Sequence, residues 1–259
     1  MITLLKLGGS VITDKSKPYT ARHEEIRRLT KEVREALDND PGIKLIIGNG
    51  GGSFPHQPAK KGDLANGIKE AWQFEHFVET QRAASELNHL IVEALIREGV
   101  PAFAFQPSSA GYTEGGEIKQ FNMTAINELL KLGAVPVVHG DIMLDTKQGC
   151  SIVSTEKILC YLAKELKVTR VVIGTNVDGV FDSDGKVLKC ITKKNFDSAK
   201  KHIRGAETTD VTGGMLHKVE SMLGLSSLGP EVFIVNALTP GNVKKALSGE
   251  WVGTKITSS

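Results

Sequence analysis

The sequence predicts an α/β protein: a mainly parallel sheet with helices on both faces. Three observations point there. Short apolar runs of strand length alternate with stretches of helical periodicity along the whole chain. Glycine-rich and polar clusters recur where those runs end, at 6–10, 48–53, 139–141 and 174–178. Ligands of open α/β sheets bind at the carboxyl ends of strands, so the clusters predict one shared site. The chain has 259 residues, 40% hydrophobic and 24% charged, which is ordinary for a protein with a sizeable core.

The first strand spans 2–7, is apolar but for Lys6, and stops at Gly8-Gly9-Ser10. A lysine in an apolar strand is costly to bury alone. Lys6 is therefore either at a sheet edge or aimed at an anion beyond the strand. Lys15 and Lys17 follow in a polar loop. Ile26, Leu29, Val33 and Leu37 give the stretch 20–37 one apolar helical face. A turn at Asp40-Pro41-Gly42 leads to a strand at 43–47.

That strand empties into Gly48-Asn49-Gly50-Gly51-Gly52-Ser53-Phe54-Pro55-His56. Glycines accept backbone angles that expose consecutive N–H groups, a cradle for an anion. His56 is then within reach of whatever is held. Taken alone, the stretch reads either so or as a flexible loop with a surface histidine.

A loop at 62–67 precedes a long helical stretch at 70–98, stopped by Gly99. A strand at 102–105, a glycine-rich hairpin turn at 111–116 and a helix at 124–132 follow. The strand 134–138 carries His139-Gly140-Asp141 at its end. A turn-rich hairpin at 142–151 leads to Ser154, a helix cap for a run to 166. The β-branched run 168–173 is a strand opening into Gly174-Thr175-Asn176-Val177-Asp178-Gly179. A small strand at 186–191 and a helix opening at Gly213-Gly214 and running to 228 come next. A strand at 231–235 follows. Thr239-Pro240 reads as the cap and first turn of a helix to 247, and 253–256 is a last strand. No linker is visible. The stretch 164–169 divides an N-terminal lobe, 1–166, from a C-terminal lobe, 167–259, the two sharing one sheet.

The formal charge of +2 and the 5% aromatic content, with no basic stripe, argue against a nucleic-acid partner. No apolar run approaches the ~20 residues of a membrane span, and no signal peptide opens the chain. Cys150, Cys160 and Cys190 are far apart, with no CxxC, so neither a disulfide framework nor a zinc site is indicated. A reducing cytoplasm is the expected location. The P-loop motif is absent, and G-x-G-x-x-G fails because Ser53 stands in place of its last glycine. What remains is glycine N–H donors and lysine charge at several strand ends, the needs of phosphoryl transfer.

Lys6-Leu7-Gly8-Gly9-Ser10, Gly48-Asn49-Gly50-Gly51-Gly52-Ser53, His139-Gly140-Asp141, Thr175-Asn176-Val177-Asp178-Gly179-Val180 and Thr212-Gly213-Gly214-Met215 with Lys218 resemble the successive blocks of the amino-acid kinase superfamily. They cover nearly the whole chain in the family's order. The resemblance implies a three-layer αβα sandwich, an acceptor-binding N-terminal lobe and an ATP-binding C-terminal lobe. Gly52-Ser53-Phe54-Pro55-His56-Gln57-Pro58-Ala59 is similar to the G-S-F-x-H-x-x-A of the branch holding isopentenyl phosphate and fosfomycin kinases. Pro55 departs from the glycine often found there.

The resemblance implies ATP and Mg²⁺ as cofactors, isopentenyl phosphate as acceptor, isopentenyl diphosphate as product, and a homodimer. It assigns Lys6 and Lys218 to the ATP phosphates and the transferring group, and Lys15 to charge in the transition state. Gly8, Gly9 and Ser10 would hold phosphate through backbone donors. Gly51 and Gly52 would lie against the acceptor and ATP phosphates, and His56 would hydrogen-bond the acceptor phosphate. Gly140 would line the acceptor site, and Asp141 would order nearby lysines. Thr175, Asp178 and Gly213 fall on the nucleotide side. Mg²⁺ would come with ATP, with no dedicated metal-ligand residue in the chain.

Plainer readings stand beside these. Lys6 would be a snorkelling edge residue, Lys15 a solvated loop charge, Lys218 a surface helix lysine and His56 a loop support. His139 reads best as filling a strand end, and His89, between Glu86 and Glu93, as part of a solvated face. Trp72, Phe74, Phe77 and Val78 would line a pocket for a short apolar tail or simply pack in the core. The rival functions are a fosfomycin-type or other small phosphate or phosphonate kinase and a non-catalytic nucleotide-binding regulator. The three lysines speak against the regulator.

Overall fold

The computed structural model describes residues 1–205 and 214–258. β1 (Ile2–Leu7) runs into a one-turn helix, α1 (Gly9–Ile12), and a polar loop leads to α2 (His23–Asn39). β2 (Lys44–Asn49) is followed by the short α3 (His56–Lys61), the long α4 (Gln73–Arg97) and β3 (Ala102–Ala104). After α5 (Pro107–Ala110) come β4 (Gly111–Glu114), β5 (Glu117–Phe121), α6 (Met123–Lys131) and β6 (Val135–His139). The hairpin β7 (Asp141–Asp145) and β8 (Gly149–Val153) leads to α7 (Thr155–Glu165) and β9 (Val168–Thr175). Then follow β10 (Cys190–Thr192), α8 (Phe196–Gly205), α9 (Gly214–Ser226), β11 (Glu231–Asn236), α10 (Asn242–Leu247) and β12 (Thr254–Thr257).

Eight strands form the main sheet in the order β10-β12-β11-β9-β1-β2-β6-β3. From β11 to β3 every pair is parallel. β12 runs antiparallel to β11, and β10 parallel to β12. A separate sheet holds β5-β4-β7-β8. β1 is central: Leu5 sits opposite Ile47 on one side and Val172 on the other. That excludes the edge position for Lys6.

Parallel strands covered on both faces carry near-continuous apolar runs. Alternation still sorts the side chains. Leu5, Leu7, Ile47, Val172 and Val235 face one core with Leu29 and Val33 of α2, Leu87 and Ile91 of α4, and Val243 of α10. Leu4, Ile46, Val138, Val171 and Ile234 face a second core with Ile126 of α6, Ile158 and Leu162 of α7, and Val219 and Met222 of α9. The result is a three-layer αβα sandwich. Among the described residues no helix is long and apolar enough to cross a membrane.

Several local expectations change. The 70–98 stretch becomes one helix starting at Gln73, whose Oε1 accepts the Lys69 and Glu70 amides at 2.7 and 3.0 Å and so holds those residues in the turn before it. α10 is not capped at Thr239-Pro240. Gly241, at φ 84°, precedes it, and the α2 residue Glu32 accepts the amides of Gly241, Val243 and Lys244 at 2.9–3.2 Å. The strand expected at 186–191 is reduced to a bridge between Phe181 and Val187, followed by β10. Trp72, Phe74 and Val78 neither pack in the core nor line the cleft described below, being 56, 58 and 48% exposed. Phe77 alone of that group packs inward, beside Leu64, Ile142 and Cys150. Thr212 and Gly213 lie outside the described residues.

Candidate active site

The parallel sheet brings the four sequence clusters to one edge. Leu7, where β1 ends, pairs with Asn49 on one side and Gly174 on the other, and Asn49 pairs with His139. The loops beyond are tied backbone to backbone. Gly8 N donates to Gly174 O at 3.0 Å, Gly50 N to Leu7 O at 2.9 Å and Gly140 N to Asn49 O at 3.2 Å. Thr155 Oγ1 donates to Asn49 O at 2.7 Å, and Asn88 of α4 reaches up to Asn49 Oδ1 at 2.9 Å.

Glycine is required by close approach. A Cβ on Gly9 would lie 2.5 Å from Gly52 N, and one on Gly50 2.8 Å from Gly9 N. Gly52 has φ +55° and would drive a Cβ into Thr13. Thr13 Oγ1 closes the floor, donating to Gly9 O at 2.7 Å and accepting from Ser53 N at 3.1 Å. Gly9 and Ser10 open α1, where the first amides of a helix have no intrahelical acceptor.

Above this floor lies a cleft of about 310 Å³. It is lined by Lys6, Lys15, His56 and Lys218, by Gly8, Gly9, Gly51, Gly52 and Gly140, and by Ser10, Asp141 and Thr175. Pro55, Ala59, Thr80, Ile152 and Val153 add a largely apolar wall. Asp178 stands off the cleft, where its Oδ1 accepts Asn236 Nδ2 at 2.8 Å. Gly213 lies outside the described residues. Thr175 Oγ1 is 3.0 and 3.1 Å from the Val177 and Val235 carbonyls, so it shapes the loop after β9.

Lys6 is buried, and its Nζ lies 2.9 Å from Glu156 Oε1. Glu156 sits in the first turn of α7, which Ser154 caps through the Lys157 amide at 3.2 Å and where the helix dipole favours an acid. Burial alone would raise the Glu156 carboxyl. The charge and hydrogen bond of Lys6, the glutamate's own amide and the charge of Lys218 outweigh it and hold the group below its ordinary value. The sequence did not single out Glu156. The available signal was the need of a buried lysine for a counter-charge.

Lys15 is exposed on its loop, and His56 opens α3 with its ring open to the cleft. Protein around the ring desolvates it, and the Lys15 charge adds to that, so the His56 pKa is lowered. The imidazole is neutral at neutral pH, with one N–H to donate. Asp141 is buried. Its oxygens take the Ser108 and Ile142 amides, each at 2.9 Å, where a lysine was expected. It orders the chain around the cleft rather than the cations. His139 fills the end of β6, and burial lowers its pKa against the opposing pull of Asp141 and Gly140. His89 is exposed on α4. Among the described residues no three His, Cys, Asp or Glu side chains gather to hold a metal ion.

Residues 1–236 match the amino acid kinase family. The chain is 39% identical to the isopentenyl phosphate kinase of Methanocaldococcus jannaschii, with all of both chains covered. It is 35% identical to the isopentenyl phosphate kinase of Methanothermobacter thermautotrophicus, with 98% of each covered. The fold superimposes on a solved X-ray structure of isopentenyl phosphate kinase with a TM-score of 0.84 and 31% identity, covering 99% of this chain and 100% of that one.

Proposed function

The chain belongs to the amino acid kinase family, and on that premise we propose that it transfers the γ-phosphoryl group of ATP to isopentenyl phosphate, giving isopentenyl diphosphate and ADP. One observation carries this reading. A single cleft joins a backbone phosphate cradle and three lysines to an apolar wall with His56 beside it. Such a cleft suits a small acceptor with a phosphate at one end and a hydrocarbon at the other. The relatives named above carry the same activity in their names.

In the transfer, an oxygen of the acceptor phosphate bonds to the γ-phosphorus. The bond from that phosphorus to the β–γ bridging oxygen breaks, and its electron pair leaves with ADP. The acceptor is already anionic, so no proton has to be removed and no general base is needed. The work left to the protein is to hold two polyanions in line and offset their repulsion. Gly8, Gly9, Ser10 and Gly52 would hold phosphate oxygens through their amides, and a side chain on any of these glycines would force the packed loops that form the cradle apart. Lys6 and Lys218 face the transferring group. Glu156 pairs with Lys6 and holds its ammonium at the cleft wall. Lys15 meets charge developing between donor and acceptor, while neutral His56 donates to the acceptor phosphate, which Gly51 and Gly140 flank. Residues 1–166 thus supply mainly the acceptor side. Residues 167–259 supply the nucleotide side, with Thr175, Asp178 and Gly213 in its loops. Mg²⁺ brought with ATP would offset part of the phosphate charge, with few direct protein ligands.

The enzyme would work in the cytoplasm as a homodimer, a second copy covering the open edge at β3, where Phe103 is 52% exposed. Light scattering tests the dimer. The activity is tested by ADP release with ATP, Mg²⁺ and equal concentrations of isopentenyl phosphate, dimethylallyl phosphate, fosfomycin, N-acetylglutamate and UMP. Strong preference for isopentenyl phosphate is expected. Turnover of fosfomycin alone would keep the cradle and lose the isoprenoid acceptor. Binding of ATP without any turnover would leave a regulator.

A further inference from the structure

Lys15 and His56 stand on the rim of the cleft on two separate loops, and their separation has to be fixed from outside. The Lys15 loop is a narrow hairpin: Thr13 bridges Ala21, and Asp14 N donates to Thr20 O at 2.9 Å. The Asp14 carboxylate turns its tip by accepting from Ser16 N and Oγ at 2.9 and 2.7 Å. Tyr19, on the returning arm, has φ 50°, a left-handed conformation that bulky L-residues rarely adopt. Such strain persists only where the surroundings over-determine it.

Here they do. The Tyr19 amide donates to Ser53 O at 3.3 Å, and its ring meets buried Phe54 edge-on at 5.7 Å. Its hydroxyl donates to Glu79 Oε1 at 2.9 Å, and Arg82 lies 6.0 Å above the ring. Phe54 is two residues before His56, and Glu79 is the α4 neighbour of Thr80, which lines the cleft. One side chain therefore touches the Lys15 loop, the His56 loop and the helix that walls the cleft. The charge states are fixed too. The Arg82 hydrogen bonds, helped by Tyr19 and against a little burial, hold the Glu79 carboxyl at about 2. Desolvation and Glu79 raise the Tyr19 phenol, which stays a donor.

We propose that the Tyr19–Glu79 contact, braced by Arg82, is a latch that sets the spacing of Lys15 and His56, making Tyr19 and Glu79 positioning residues for the transfer. The inference rests on the reading that Lys15 and His56 serve the acceptor. Its test needs a readout that works without turnover, and the His56 ring supplies one. Burial lowers the His56 titration first and the Lys15 charge adds to it, so the ring's titration, followed by ¹⁵N NMR in the free protein with Lys15→Met as the reference, reports whether that charge stays near.

Tyr19→Phe and Glu79→Ala are expected to move the His56 titration upward, as Lys15→Met does. They should also lower kcat about tenfold or more with the KM for ATP unchanged. The double variant should be no worse than Glu79→Ala alone, because the Tyr19 hydroxyl has already lost its acceptor there. Glu79→Gln, which keeps an acceptor for the Tyr19 hydroxyl, should retain most of kcat. An unmoved His56 titration in both single variants would overturn the latch, as would losses that add in the double variant. Failure of the wild-type protein to phosphorylate isopentenyl phosphate would remove the assigned reaction, while the titration would still judge the latch.

Discussion

The floor and the rim of the cleft are held by different means. The floor is backbone against backbone: Gly8 on Gly174, Gly50 on Leu7, and Gly9 with no room for a methyl before Gly52. The rim is side chain against side chain, with Tyr19 on Glu79 and Phe54, and Lys15 acting on His56. A floor of this kind tolerates no added atom, and on the proposed reading it would fix phosphate positions whatever the acceptor is. A rim of this kind is adjustable one residue at a time, so acceptor choice belongs there.

The sharpest way to break the contrast is at the buried cation between the two. Lys6→Ala should lower kcat by about 10²–10³-fold, the usual cost of losing a preorganised group at a developing charge. It also strands Glu156, so the variant should melt earlier than Lys6→Ala/Glu156→Gln, which regains stability and not turnover. If the double variant recovered turnover, Lys6 would be no more than a partner for Glu156.

Gly9→Ala attacks the floor itself. Its Cβ would meet Gly52 N at 2.5 Å, so the loops must part, at about 1–3 kcal/mol of stability. Calorimetry should find ATP affinity lost along with it. Normal affinity would mean that the floor yields and that the contrast with the rim is false.

At the rim, His56→Ala should raise the KM for the phosphate acceptor about tenfold, the loss of one hydrogen bond to a charged group, with ATP affinity near normal. Equal loss of both would make His56 a support for the floor. The smallest effect is in acid. The Glu156 carboxyl lies below its ordinary 4.5 in the fold. The Lys6 pair therefore adds stability above pH about 4.5, and this is lost as pH falls through the lowered value. Glu156→Gln should flatten the fall of melting temperature below that pH, and identical slopes would show that the pair adds nothing.

The same division explains what the sequence disclosed. The floor was legible because its glycines are adjacent in the chain and lie at strand ends, where a parallel sheet must gather them. The apolar runs and α2 were legible for the same local reason. Glu156 was not, because nothing near Lys6 in sequence says which of 30 acidic residues the crossing of α7 will set beside it. The α10 cap was misread at Thr239-Pro240 because the carboxylate that caps it, Glu32, comes from a distant helix. Asp141 looked like a partner for lysines until α5 brought the Ser108 amide to it. The one-turn helices α1 and α3 are too short to leave a periodic signal, and contacts made later in the chain hold them.

The position of β1 between β2 and β9 also sets an order of events at synthesis. β1 is made long before its neighbour β9, which begins only at Val168. A growing chain that has reached α7 can pair β1 with β2, but the other side of β1 is still an open strand edge with its amides and carbonyls unmatched. Unpaired apolar edges are where nascent chains stick to one another, and closing one over such a sequence distance is slow. The strand that carries Lys6 is thus made early and completed late, one of its edges staying open until residue 175 has emerged.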